Sequence, residues 1–453
     1  LVQQSSQQIS SARAWAALAA LVAIFLYAVI DKTVLSLVAA PMSVSLRLNN
    51  SELGLIIGLG SAFFTIVAVY PLAWLADRFD RRLVLSACLL AWAAGTAWCG
   101  LAQNFWSLFF AAALVTAAEA GLGPLIMALI PELFSGRARV TATMIFYFAL
   151  TCSVALGYVG AGAAIAALDT IPSWPAPLAG LESWRLAFLF AAAPFPLFLL
   201  LVALLPIGRA HRKQADLSSP AAPILPFLKG QWRTVTFVFG GLALCGVSAH
   251  TMFAWTPVSM MRIFGVSAAE IGVIIGPIAA ASSLIGIAIG TFAAKRAQQR
   301  IGFRAMPRLI WVSLCFAAPI LILIPFATAP WQVYTLIGVQ LVIATISGAS
   351  TVSLLQEMAP AAVRTRVMAI YTMLYTPALG LGVAAAGAVA DLLPGNARGL
   401  FLASLFIGLP ALLVSVLLLR LAEQPFERTA QENARQEQDA PSPQATALMD
   451  ADA

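Results

Sequence analysis

Twelve apolar runs, separated by short polar breaks, occupy nearly the whole chain. A helix crossing hydrocarbon needs roughly 20 predominantly apolar residues, and longer ones tilt. On that rule the pattern predicts helices over 14–44, 52–76, 83–103, 105–132, 140–168, 185–206, 234–260, 268–294, 307–328, 331–358, 367–392 and 399–421. The longest interior polar stretch, 207–233, splits them into two sets of six. The expected organisation is an N-terminal segment 1–13, a six-helix half 14–206, a linker 207–233, a second half 234–421, and a disordered tail 422–453 rich in Gln, Glu, Asp, Ala and Pro. This is an all-α polytopic membrane protein of twelve transmembrane helices in two pseudo-symmetric halves. The first run is long enough to span and stay, unlike the short core of a cleaved signal.

Composition sharpens this picture. Of 453 residues 61% are hydrophobic and 10% charged, with a mean hydropathy of +0.91. Soluble domains carry about 25% charged residues, so this chain lacks the polar surface to face water all round. The formal net charge is +7. In such a chain it reflects basic loops at one membrane face, and no nucleic-acid partner is expected. With the N-terminus inside, 21 of the 26 Lys and Arg residues fall on the inner side, and Arg47, Arg185, Arg262 and Arg398 lie outside. That bias predicts a protein of the cell (inner or plasma) membrane with both termini cytoplasmic. The five cysteines all sit in apolar runs without metal spacing, and read as small core residues.

An internal repeat supports the division into halves. Arg137-Ala138-Arg139-Val140-Thr141-Ala142 recurs half a chain later as Arg364-Thr365-Arg366-Val367-Met368-Ala369. Each copy follows a glutamate, Glu132 or Glu357, and enters the fifth helix of its half. Two six-helix halves of parallel topology suit a transporter with its site at their interface. The charges near these repeats read either as topology and headgroup charge or as an inner gate.

The loop after the second span, Ala73–Arg82, resembles the signature G-x-L-a-D-R-x-G-R-[KR] of the major facilitator superfamily. Asp77, Arg78, Arg81 and Arg82 match it, while Ala73 and Asp80 stand at the two glycine positions. The counterpart from Gly290 in the second half has Ala294 at the aspartate position. Tyr27-Ala28-Val29-Ile30-Asp31-Lys32-Thr33, Glu119-Ala120-Gly121-Leu122-Gly123-Pro124 and Trp184-Arg185 are similar to the spinster-like branch, and secondly to an organic-anion branch. The resemblance implies the major facilitator fold and a cytoplasmic gate in which Asp77 faces the eleventh helix and Arg81 reaches Glu132. Arg78, Arg137, Arg139, Glu357, Arg364 and Arg366 join that candidate gate. Many relatives have an arginine seven residues before the acid of the fourth helix, where this chain has Ala112.

Charges inside a span are costly and by default mark function. Asp31 and Tyr27, four residues apart, share a helix face, whereas Lys32 projects about 100° from Asp31, so the adjacent charges each need a partner on another helix. Glu119 is the expected second party, and Asp31, Glu119 and His250 are the candidates for proton coupling. For Asp31 and Lys32 the alternative is a static link between helices, and for His250 it is a hydrogen bond to a neighbouring helix or a place facing the outer vestibule. Tyr27, Lys32, Trp255 and Tyr375 are the candidate substrate-cavity residues, against a plain packing role. Trp255 and Tyr375 each stand just before a proline that loosens a helix.

The expected function is proton-coupled secondary transport, by alternating access, of an amphipathic, lysophospholipid-like small molecule. An organic-anion or sugar-acid symporter, or a uniporter or exchanger of the same fold, is the alternative. No enzyme constellation, metal cluster, cofactor motif or ATP-binding loop is present in the sequence. The expected partners are protons, the small-molecule or lipid substrate and the bilayer, around a monomer.

Overall fold

The computed structural model describes residues 11–171, 174–175, 178–205, 224–360, 363–393 and 395–439. Among helical residues the side chains of 11, 73, 77, 124, 128, 132, 365 and 436–439 also fall outside the description. Within it every regular element is helical, as hydrocarbon demands of a chain that must satisfy its own backbone hydrogen bonds. The membrane helices run α1 (Ser11–Leu37), α2 (Asn50–Gly54, a π-turn Leu55–Gly60, then Ser61–Arg78), α3 (Arg81–Leu101), α4 (Phe105–Glu119 and Leu122–Leu133), α5 (Gly136–Asp169) and α6 (Ser183–Ala192 and Phe195–Leu204). The second half has α7 (Trp232–Phe264), α8 (Ala268–Ile301), α9 (Ala305–Leu323), α10 (Pro330–Met358), α11 (Arg364–Asp391) and α12 (Gly399–Asp439).

Ten stretches of the described residues are apolar and long enough to cross a membrane. The difference from twelve has two physical sources. One stretch, Ala268–Phe326, contains both α8 and α9, joined through the short 3-10 turn Gly302–Arg304. The other is the interruption of α4 at Ala120–Gly121, which leaves Phe105–Glu119 as a shorter apolar helix. Pro124 has no amide hydrogen for the carbonyl four residues earlier, so the break follows from the sequence.

Local signals set the ends. Asn49 caps α2 in a reciprocal capping box with Glu52, Asn104 accepts from the Ser107 amide at 2.9 Å, and Ser267 accepts from that of Glu270 at 3.1 Å. Gly265 ends α7 at φ 67°, a left-handed conformation that favours glycine. The first span ends as a long helix at Leu37 and continues as Ala39–Ser45, rather than running unbroken to 44. The tail expected to be disordered from 422 is helical to Asp439 and tied down. Arg308 pairs with Glu423, which also accepts from Trp311 at 2.6 Å. Arg304 reaches Glu427 at 2.6 Å, and Asn433 Nδ2 donates to the Met358 carbonyl at 2.8 Å, closing the end of α10. Residues 207–223 of the linker, with Pro206 before it, and 440–453 lie outside the described residues.

With an even number of crossings, Ser11 and Asp439 lie at the same end of the bundle, here the termini end. Two apolar cores divide the protein unequally. Leu18, Trp92, Ile126 and Phe195 belong to one made only of first-half residues. The other fills the second half and reaches the first only through residues toward the far end, among them Leu37, Leu53, Ile56, Tyr158 and Ala161. The halves therefore share a core at the far end.

Two backbone crossings make that junction tight. A Cβ on Gly272 of α8 would lie 2.6 Å from the Cα of Gly162 on α5, and one on Gly58 of α2 would lie 2.7 Å from the Gly380 carbonyl of α11. Overpacking a site of this kind costs about 1–3 kcal/mol. Gly272→Leu should therefore shift the population toward an opened far end, by about tenfold for 1.4 kcal/mol. Spin labels at Arg47 and Asn396, in a background lacking the five native cysteines, would report longer distances. An unchanged distance distribution would show that the crossing accommodates the side chain.

Candidate functional site

A cavity of about 350 Å³ lies between the halves, and its wall brings together Asp31 and Lys32 of α1, Glu119 of α4 and His250 of α7. The rest of its lining is mostly apolar or hydroxyl-bearing, including Leu35, Ile57, Thr116, Tyr158 and Phe253. The break in α4 explains one member: Glu119 ends the first half of that helix, so its carboxylate leaves the helix where the backbone turns.

Asp31 is 3% exposed. Its Oδ2 accepts from Trp92 Nε1 at 2.6 Å and from Thr96 Oγ1 at 2.9 Å, both on α3. Its Oδ1 is buried with no hydrogen-bond partner, and so is Glu119 Oε1. A buried carboxylate oxygen without a donor is an unusual and costly feature. Lys32 is exposed to the cavity, and among the described residues it makes no ion pair and no hydrogen bond. It is also the only lysine or arginine among the described lining residues. Ala112, at the position where many relatives have arginine, lines the same cavity and adds no charge. Asp31 and Lys32 thus part company as their helical angle requires: the acid turns into α3, and the amine turns into open space.

Tyr27 lies outside this wall. Its hydroxyl donates to the Ala191 carbonyl at 2.6 Å, an acceptor released where α6 breaks before Pro194. Its ring packs 4.9 Å from that of Phe198 and 6.1 Å from that of Trp92. It braces the tryptophan that holds Asp31. Trp255, fully buried, donates from Nε1 to the Val383 carbonyl at 3.1 Å, joining α7 to α11. Tyr375 stacks on Tyr371 at 5.2 Å and packs on α7 over Gly246. Neither lines the cavity described above.

The gate candidates gather toward the termini end. The side chains of Asp77 and Glu132 fall outside the described residues. The Arg78 guanidinium lies 4.2 Å from the Trp74 ring centroid, and Arg81 opens α3 half-buried. Arg137 and Arg139 are exposed in the first turn of α5. Arg364 opens α11, donating to the Ala359 carbonyl at 3.2 Å, and Arg366 follows in the same turn. Glu357 is half-buried near the end of α10.

A polar clasp that the sequence reading missed closes the far end. Asp391, the last residue of α11, accepts from the Asn50 amide at 3.0 Å, Asn50 Nδ2 at 2.8 Å, the Ser51 amide at 2.8 Å and Ser51 Oγ at 2.5 Å. An anion at the start of a helix also meets its positive dipole end. Arg262 of α7 reaches across as well, to Asn50 Oδ1 at 2.7 Å and Ser43 Oγ at 3.2 Å. Two signals were available: Asp391 is the only acid between Glu357 and Glu423, and Asn49-Asn50-Ser51-Glu52 is a helix start. Trp92 was likewise legible, since a buried indole N–H needs an acceptor.

This two-half helical architecture around a partly charged internal cavity defines a multi-pass membrane protein of a known family. The model of the Major Facilitator Superfamily matches residues 20–382, and the chain belongs to that superfamily. It is 27% identical over 307 residues to an "MFS-type efflux pump" of Mycolicibacterium smegmatis, covering 66% of each chain. It is 24% identical over 280 residues to protein spinster homolog 3 of Mus musculus, covering 57% of this chain and 51% of that one. The zebrafish (Danio rerio) sphingosine-1-phosphate transporter SPNS2 is 24% identical over 279 residues, 57% of this chain and 52% of that one. The chain thus spans about half the length of these spinster relatives. In fold it is similar to a bacterial homolog of the human lysosomal transporter Spinster, solved in an inward-facing and unoccupied conformation. The TM-score there is 0.73 at 20% identity, over 95% of this chain and 99% of that one. The nucleoside transporter NupG gives 0.69 at 14% identity, over 90% and 98%.

Asp391→Ala removes all four acceptor contacts of the clasp at once. Charge-assisted hydrogen bonds contribute about 1.5–3 kcal/mol each where well formed. A partly exposed cluster such as this should retain on the order of 2 kcal/mol in total, about thirtyfold in the closed population. Reaction of a cysteine placed at Leu53, buried just beyond the clasp, with an impermeant maleimide should rise accordingly, again without the native cysteines. No increase would place the closure in the apolar crossings alone.

Proposed function

We propose that the chain is a secondary transporter that couples proton movement to passage of an amphipathic small molecule, lysophospholipid-like in having a long apolar body and a small polar head. It works by alternating access, as a monomer in the cell (inner or plasma) membrane, with both termini cytoplasmic. The observation that carries this reading is the cavity between the two halves, closed at one end by the Asp391 clasp and holding two acids with unpartnered buried oxygens. Each such oxygen offers a place for a proton, because a neutral carboxyl needs no counter-charge in a low-dielectric site. Asp31 and Glu119 come from different helices of one half, whereas His250 comes from the other half. A group bound among them touches both halves, so its occupancy can be felt by both.

The apolar share of the lining favours an amphipathic substrate over a sugar. The name of one relative agrees in class, since it is a sphingosine-1-phosphate transporter. The unpaired Lys32 favours a second reading, an organic-anion symporter of the same fold, in which that amine meets a carboxylate. Both readings use the same cavity and differ in the body of the substrate.

The test is transport into proteoliposomes holding a trapped pH dye, challenged with lysolipids, fatty acids and small carboxylates. Wild-type protein should give a pH change with the amphipathic members. Asp31→Asn should abolish it while retaining exchange of labelled substrate. Proton movement persisting at the wild-type rate in that variant would end the coupling role of Asp31. A pH response to small carboxylates alone would choose the organic-anion reading, and labelled transport without a pH change would make the protein a uniporter or exchanger. Lys32→Gln should weaken uptake of anionic panel members about tenfold or more, the ~1.5–3 kcal/mol of a charge-assisted contact. It should leave zwitterionic members unaffected.

A further inference from the structure

We propose that α2, α3 and α4 form a binding site for an anionic phospholipid of the surrounding bilayer, with an acyl chain in a groove between the helices and the phosphate at Arg78. The groove is a pocket of about 530 Å³, separate from the cavity that holds Asp31. Among the described residues, no charged or hydroxyl-bearing side chain lines it. Small residues from all three helices, Ala68, Ala87, Ala91, Ala117 and Ala118, give it depth. Leu72, Leu75 and Leu114 form its sides.

Its length and direction suit an acyl chain. From Leu83 to Ala91 the lining follows α3 for eight residues, about 12 Å at 1.5 Å per residue. One leaflet of hydrocarbon is about 15 Å deep. The groove thus starts at the α2–α3 loop and penetrates most of a leaflet. Around its mouth Trp74, Phe79 and Leu83 are 42%, 49% and 63% exposed.

Charge complementarity selects the headgroup. Arg78 is exposed and lies over Trp74, the pairing of cation and aromatic ring typical of a membrane interface. Arg82, at the start of α3, is engaged instead with the Leu205 carbonyl, so the headgroup contact falls to Arg78. Asp80 turns its carboxylate to the start of α3, accepting from the Arg82 amide at 2.9 Å. An exposed basic side chain at the rim of a dry groove attracts an anionic lipid in preference to a zwitterionic one, by about 1 kcal/mol. Occupancy bears on the central cavity as well: Ala117 and Ala118 immediately precede Glu119, so a bound chain packs against the turn that presents that acid.

The site is read by binding, so its test is independent of whether the protein transports anything. Purified protein is incubated with equal amounts of dioleoyl-phosphatidylglycerol and dioleoyl-phosphatidylcholine, then examined by native mass spectrometry. Wild type should retain phosphatidylglycerol over phosphatidylcholine by about fivefold, the effect of one basic side chain. Arg78→Gln should bring the two lipids to parity while retaining both. Ala87→Trp, which fills the groove from another helix, should lose both. Equal retention of the two lipids by wild type, or undiminished phosphatidylglycerol on Ala87→Trp, would overturn the site. So would competitive displacement of phosphatidylglycerol by a transported panel member, which would make the groove part of the substrate path. A dimer whose formation Ala87→Trp abolishes would overturn it in favour of a contact between two copies.

Discussion

A carboxylate at the end of α11 grips the start of α2, and the arrangement of the halves depends on it. Asp391 takes four donors from Asn50 and Ser51, and its charge faces the positive end of the α2 dipole. Directly beneath this clasp the helices approach through glycine, Gly58 against Gly380 on one side and Gly162 against Gly272 on the other. Such close crossings leave no room for water, and hydrocarbon gives apolar helices little reason to associate beyond close packing itself. The polar clasp supplies direction and register to a junction that packing alone would leave free to slide. The cavity exists because the halves meet at this end and share no core near the termini.

The same economy governs the charges inside. Asp31 is held by α3 through Trp92 and Thr96, which lie four residues apart and present their donors on one face. Tyr27 supports that tryptophan from behind while its own hydroxyl is used elsewhere. One oxygen of the acid is therefore fixed and the other is buried without a partner. Lys32, one residue on, forms no ion pair among the described residues and faces the cavity that Glu119 also lines. A structural ion pair would have brought the two charges together or paired each with a distant helix. Their separation leaves both available to what enters the cavity.

Much of this was legible in the sequence, and the reasons for the remainder are specific. Twelve apolar runs, and the recurrence of Arg137-x-Arg139 as Arg364-x-Arg366, announced helices and halves because bilayer thickness fixes helix length. Asp31, Lys32, Glu119 and His250 stood out as charges in hydrocarbon, and they line one cavity. The aromatic candidates were harder, because a tyrosine on the face of Asp31 reads alike whether it lines a cavity or braces a neighbour. Tyr27 braces, since the break at Pro194 releases a carbonyl for its hydroxyl, and that depends on the bend of another helix. Asp391 escaped notice because its position at a helix end is ordinary for an acid. Its partner, the start of α2, is 340 residues away in sequence. The helical extension of α12 to Asp439 went unseen for a related reason. Its polar composition suits solvent, and its order comes from Arg304, Arg308 and Trp311 on a different element.

That extension has a mechanical consequence. Glu423 and Glu427 bind α12 to α9, Asn433 closes the end of α10, and Thr234 with Gln231 holds α7 to Thr429. The second half is thus laced together at the termini end by polar contacts. The first half is held at the same level by its own apolar core of Leu18, Trp92, Ile126 and Phe195. Each half is internally continuous, while the contact between them is concentrated at the far end in one clasp and two glycine crossings. A movement that breaks few interactions would leave both halves intact and exchange contacts only across that junction, where close packing favours discrete arrangements over gradual deformation. On the transport reading, this division lets a small binding energy in the cavity be weighed against the closure at Asp391. The unfolding of either half does not enter that balance.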